Sequence, residues 1–156
     1  MENTTFGISG LGILFFFLPM VPNFIYMMKA PLNELDKNQK KMKLDGEELS
    51  RDFLVFFLMV LRPQEEKNII YLALSLVFLV LYYAAWGRYF KSGMKKENLL
   101  SPFIGIPVPL ALLPIPYFAF ASLYLSNYPA LVLSLLFGFF HIKDALRKSK
   151  TKEDQE

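Results

Sequence analysis

The chain has 156 residues, 54% of them hydrophobic and 16% aromatic, with a mean hydropathy of +0.33. Seventeen Lys and Arg against fourteen Asp and Glu leave a formal charge of +3, too small and too confined to connecting segments for a nucleic-acid binder. There is no cysteine and a single histidine, which excludes disulfides, thiol catalysis and any metal site built on Cys or on two His.

The apolar residues fall in blocks separated by short charged segments, the layout of a multi-pass membrane protein. The first block, Gly7 to Met28, is long enough for a hydrocarbon core of ~30 Å at ~1.5 Å per residue. No basic residue precedes Lys29 and no small-x-small pattern follows the apolar run, so the block reads as a retained helix and not a secretory signal. Pro19 and Pro22 interrupt it. Asn23, the one amide deep in the block, is expected to satisfy backbone freed by Pro22. The glycines Gly7, Gly10 and Gly12 permit close helix contact but form no Gly-x-x-x-Gly motif.

Residues 29–52 form a loop with six basic and six acidic residues, suited to docking a partner or to simple solvation. The next apolar run, Phe53 to Leu61, covers only ~14 Å as helix, short of a bilayer. Charge decides its placement. If it crosses, residues 29–52, 88–98 and 143–156 share one side and hold fifteen of the seventeen basic residues. If it does not, the basic residues divide nine against eight. Only the first arrangement obeys the positive-inside rule. A crossing helix over about 47–62 is therefore expected, with Arg51 and Arg62 reaching opposite headgroup layers and the bilayer thinned locally.

The third block, 69–90, is the cleanest span and ends in "YYAAWGRYF". Tyr82, Tyr83, Trp86, Arg88 and Tyr89 there suit either an aromatic belt with a snorkelling Arg or a headgroup site with phosphate at Arg88, to which Lys91, Lys95 and Lys96 add attraction for an anionic surface. The fourth block, 104–125, carries Pro107, Pro109, Pro114 and Pro116. An irregular lead-in, "SPFIGIPVP", followed by a helix kinked near Pro114 and Pro116 accommodates them. Such a break either packs against neighbours or lines a cavity with exposed carbonyls, as in transporters. The fifth block, 128–142, ends at His141, where Asp144 is an i+3 neighbour on a helix. Residues 143–156 form a charged tail, basic and then acidic, expected to be a cytoplasmic anchor with a disordered end.

Three stretches, "PNFIYMMKAP", "YYAAWGRYF" and "IGIPVPLALLPIPYF", together resemble a group of small bacterial multi-pass membrane proteins with no activity to transfer. The resemblance runs along most of the chain and implies a bacterial cytoplasmic membrane location. It makes Pro22–Asn23, Trp86–Arg88 and the proline cluster the positions to test first.

The expected fold is all-α: one integral membrane domain, residues 1–142, of about five transmembrane helices, one short and one proline-broken. The N-terminus lies outside and the C-terminus in the cytoplasm. No Asp, Glu, Lys or Arg falls in the middle of a span, which argues against ion-coupled transport and intramembrane proteolysis. The function expected is that of a non-enzymatic accessory or lipid-interacting factor without cofactors. Its partners would be membrane lipids and a membrane protein or a second copy. A small transporter or holin-type pore is the alternative, and an enzyme acting on lipid headgroups through Arg88, His141 and Asp144 the second.

Overall fold

The computed structural model describes residues 5–29, 46–62, 68–94, 98 and 101–153; of residues 5, 62 and 146–153 it describes the backbone alone. Most of the 29–52 loop, Lys95 and Lys96, and the last three residues of the tail lie outside the described residues.

The fold is all-α apart from one two-residue ladder. In chain order it comprises β1 (Thr5–Phe6), α1 (Gly10–Lys29), α2 (Gly46–Val60), β2 (Leu61–Arg62), α3 (Ile69–Lys91), α4 (Pro109–Leu112), α5 (Pro114–Tyr124) and α6 (Tyr128–Glu153). Two of these, α1 and α3, are long and apolar enough to cross a membrane.

Successive helices reverse direction. The antiparallel pairing of Thr5 with Arg62 and Phe6 with Leu61 sets the start of α1 beside the end of α2. The start of α2 meets α6 near its middle, where His141 faces Glu47, while Asn127, just before α6, reaches Phe57 near the end of α2. The end of α1 lies beside the end of α3: Tyr26 packs on Trp86 and Tyr89, and the Lys29 ammonium stands 5.9 Å from the Phe90 ring centre. Leu113, between α4 and α5, packs with Trp86 and Tyr89, while Phe78 of α3 stacks on Phe120, so α4–α5 runs antiparallel to α3. One end of the bundle therefore gathers Lys29, Gly46, Lys91 and Pro109; the other gathers Gly10, Val60, Ile69, Tyr124 and Tyr128.

The prolines of the fourth block mark helix starts. Pro109 is the first residue of α4, Pro114 the first and Pro116 the third of α5. Amides in a first turn have no intrahelical acceptor, so a missing N–H there costs little. The segment breaks at Leu113, as the proline spacing leads one to expect, and helix begins at Pro109 rather than 104. Before it, Phe103 and Ile106 exchange two backbone hydrogen bonds, at 3.0 and 2.9 Å, across Ile104 and Gly105. Both central residues have positive φ, 50° and 76°, which is the two-residue turn that matches a twisted hairpin. Pro107 follows it directly.

Three further boundaries differ from the sequence reading: Leu61 and Arg62, expected within the second helix, instead form β2 because their backbone pairs with Phe6 and Thr5. Residues 7–9 are not helical: Gly7 and Ser9 donate to the carbonyls of Val60 and Met59, at 2.8 and 2.7 Å. Helix α6 runs on from Ile142 through the charged residues to Glu153, because Ala, Lys and Arg are good helix formers and the packed segment before them has already nucleated the helix.

The short helix α2, 15 residues or about 22 Å, ends with three of its last four carbonyls bonded to donors from elsewhere in the chain. A helix leaves its last four carbonyls without partners. Here Asn127 Nδ2 donates to Phe57 O at 2.8 Å, Ser9 N–H to Met59 O and Gly7 N–H to Val60 O. The Leu58 carbonyl is pressed against Gly12, where an added Cβ would lie 1.7 Å from its oxygen. Only glycine fits at that crossing. Asn127 Oδ1 also accepts from Ala130 N–H, so one side chain caps α6 and closes α2 together.

Candidate functional site

A proline inside a helix leaves the carbonyl four residues earlier without its donor. In α1 those carbonyls are Phe15 O, freed by Pro19, and Leu18 O, freed by Pro22. Both are taken up from other helices. The Tyr117 hydroxyl of α5 donates to Phe15 O at 2.7 Å, and the Tyr83 hydroxyl of α3 donates to Leu18 O. Asn23 does not serve the carbonyl freed by Pro22. Its Nδ2 donates to Pro19 O at 3.1 Å and to the Tyr82 hydroxyl at 3.0 Å, tying α1 to α3. Pro19 and Pro22 are themselves buried. The broken backbone of α1 thus serves as the attachment surface for α3 and α5.

The aromatic stretch of α3 is turned inward. Trp86 is 5% exposed and Tyr89 2%, so neither side chain faces a headgroup layer. With Tyr82, Ala85 and Leu113 they form a packed cluster, flanked by Tyr26, Phe90, Phe103 and Ile106. Trp86 meets Tyr82 and Tyr89 edge-on, with ring centres 6.3 and 5.6 Å apart. The Tyr89 hydroxyl donates to Met94 O at 3.1 Å and so ties the end of α3 to the turn that follows it.

Arg88 binds the chain itself. Its Nη1 donates to Pro102 O at 2.7 Å, and its Nη2 to Ser101 O at 2.8 Å and to Ser101 Oγ at 3.0 Å. The guanidinium carbon stands 5.0 Å from the Phe103 ring centre. A planar fork of donors suits this task, because an irregular lead-in presents several carbonyls in different directions. Arg88 therefore clips the "SPFIGI" turn over the end of the aromatic cluster.

His141 pairs across helices, with Glu47 of α2. Its Nδ1 lies 2.7 Å from Glu47 Oε1, and its ring stacks on Phe137 with centres 5.0 Å apart. Gly46 beside it is closed by Phe140, 2.9 Å from an added Cβ. The pair joins the start of α2 to α6. Among the described residues, no group of three His, Asp or Glu side chains lies close enough to hold a metal ion.

The six side chains singled out in the sequence are thus not brought to one place. Trp86 and Tyr89 share one cluster, Arg88 caps it, Asn23 and Tyr83 bind α1 to α3, and His141 lies at the α2–α6 contact. Tyr82, the first residue of the "YYAAWGRYF" stretch, carries comparable weight, and so do Tyr117 and Asn127, to which the sequence gives no role. The i−4 rule names the carbonyls that need donors, and Asn127 has the position of a helix cap, but nothing local names a tyrosine a hundred residues away as a donor. No protein-family model matches the chain, and no curated protein or solved structure matches it either.

Proposed function

We propose that this chain is a small multi-pass integral membrane protein of five crossings that acts without chemistry of its own, as an accessory or lipid-interacting factor of a bacterial cytoplasmic membrane. The alternating directions of the helices favour five crossings with the N-terminus outside, and so does the sequence, since that topology assigns fifteen of the seventeen basic residues to one side. The short α2 is admissible as a crossing because three of its four terminal carbonyls, those of Phe57, Met59 and Val60, are bonded within the protein.

One observation carries the non-enzymatic, non-transport reading. The carbonyls released by Pro19 and Pro22 are occupied by Tyr117 and Tyr83 and are not presented to a cavity. A pore or carrier built on discontinuous helices needs such groups free for its cargo. The lipid-enzyme alternative needs Arg88 and His141 for substrate, and both are engaged in joining parts of this chain.

Topology is tested with single-cysteine variants, since the native chain has no cysteine. Five crossings require Lys29→Cys and Lys91→Cys to react with an impermeant maleimide from the same side and Gln64→Cys from the other. Reaction of Lys29→Cys and Gln64→Cys from one side overturns the model of α2 as a crossing. The accessory role is tested by native mass spectrometry of protein extracted gently from its own membrane. A stoichiometric protein partner or retained lipid is expected; a bare, monomeric protein refutes the role.

A further inference from the structure

The apolar faces of the helices are not equally deep. Helix α3 has no charge from Ile69 to Gly87, nineteen residues or about 28 Å, close to a full hydrocarbon layer. Arg88 thus marks the inner boundary, and Tyr26, packed on Trp86 and Tyr89, gives the same level on α1. Helix α2 is registered against α1 where Gly12 meets Leu58. Seven residues from Leu58 towards the inner end is Arg51; seven residues from Gly12 in the same direction is Pro19. Arg51 therefore stands at the level of Pro19, seven residues or about 10 Å inside the boundary that Tyr26 and Arg88 define. A second register agrees. Asn127 meets Phe57 and His141 meets Glu47, which sets Arg51 opposite residues 135 and 136, the middle of the apolar part of α6.

At that depth α2 turns charge outward. Its buried residues are Ser50, Leu54 and Leu58, while Glu48, Arg51 and Asp52 lie on the exposed side, with 49% and 70% of the Arg51 and Asp52 side chains accessible. Arg51 Nε donates to Asp52 Oδ1 at 3.2 Å. The Arg51 stem can extend towards the boundary, but a carboxylate one methylene from the backbone cannot. Leaving it in hydrocarbon is expensive, so the polar layer has to come to it. The helices beside it permit this. The apolar parts of α2, α4–α5 and α6 each span about sixteen residues or fewer, some 24 Å, and α6 packs between α2 and α5.

We propose that the α2 flank is a hydrophilic indentation in the inner half of the membrane, into which phospholipid headgroups descend to the level of Pro19. Arg51 meets the phosphate, and Asp52 and Glu48 meet the ammonium of a zwitterionic headgroup. The arrangement complements phosphoethanolamine, with a cation and two carboxylates on adjacent turns of one helix. It rests on the five-crossing reading and specifies the lipid that reading invokes.

The test uses the full-length protein in vesicles of phosphatidylethanolamine and phosphatidylglycerol. An environment-sensitive fluorophore is placed on Asp52→Cys and, at the same depth on the long helix α3, on Val80→Cys, which is 66% exposed. Lipids carrying a nitroxide at the headgroup or at mid-chain quench each in turn. The fluorophore at position 52 is expected to be quenched chiefly by the headgroup nitroxide and that at position 80 chiefly by the mid-chain one. With the label on Glu48→Cys, Arg51→Leu should lower headgroup quenching about fivefold, the factor for roughly 1 kcal/mol per basic residue at a lipid surface. Chiefly mid-chain quenching at 52, or no quenching by either lipid, overturns the proposal. The Lys29, Gln64 and Lys91 labelling pattern separates that failure from a wrong topology, since it is read without the nitroxides.

Discussion

Tyr117→Phe removes one oxygen and tests the account of the broken first helix. The hydroxyl donates to Phe15 O in a fully packed place, with Tyr117 1% and Phe15 3% exposed. Without it the carbonyl freed by Pro19 has no donor. A buried acceptor left unpaired costs about 1–3 kcal/mol in soluble proteins, whereas side-chain hydrogen bonds between membrane helices average about 0.6 and reach about 1.7 kcal/mol. This bond serves a backbone carbonyl with no alternative, so a loss of about 1–2 kcal/mol is expected. The decisive comparison is in a Pro19→Ala background. Alanine restores an N–H at position 19, which returns to Phe15 O as in any helix. There Tyr117→Phe should cost only a few tenths of a kcal/mol, a coupling of about 1 kcal/mol between residues 98 positions apart. The assay is reversible unfolding in mixed micelles of increasing denaturing-detergent fraction, followed by the fluorescence of Trp86, the only tryptophan. Equal costs of Tyr117→Phe in both backgrounds would refute the reasoning, because the hydroxyl would then owe nothing to the proline.

Three further outcomes follow from single contacts. Gly12→Ala should destabilise by about 3 kcal/mol or prevent folding, since its Cβ would meet the Leu58 carbonyl, while Gly10→Ala, with nothing within 4 Å, should be tolerated in the same unfolding assay. Arg88→Ala should cost about 1.5–3 kcal/mol and expose the 101–106 turn to limited proteolysis, and Arg88→Lys should recover little of this, because a point charge cannot bond Ser101 and Pro102 together. Ile104→Asn should stabilise by about 1 kcal/mol, because Ile104, 71% exposed, is a β-branched residue held at a φ of 50°, where asparagine is at ease; an unchanged unfolding midpoint would refute the strain assigned to this turn.

What the sequence alone determined is whatever depends on a residue and its near neighbours. Apolar blocks mark where helices form and proline removes a donor wherever it occurs, so a break near Pro114 and the two carbonyl vacancies of α1 are legible from spacing. The limits of α6 were less so, because a charged run reads as tail in isolation but as helix once residues 128–142 have nucleated it. The tertiary structure decided which groups fill the vacancies. Tyr83 and Tyr117 arrive from 65 and 102 residues away, and Asn127 closes a helix that ended 67 residues earlier. The same holds for the aromatic stretch of α3, which composition assigns equally well to a headgroup belt or to a core. A tryptophan's surroundings depend on which helix face the neighbours cover, and here Tyr26, Leu113 and the Arg88-clipped turn cover it. An acceptor's need is written by its own chain segment, but its donor is supplied by packing, which is a property of the whole bundle.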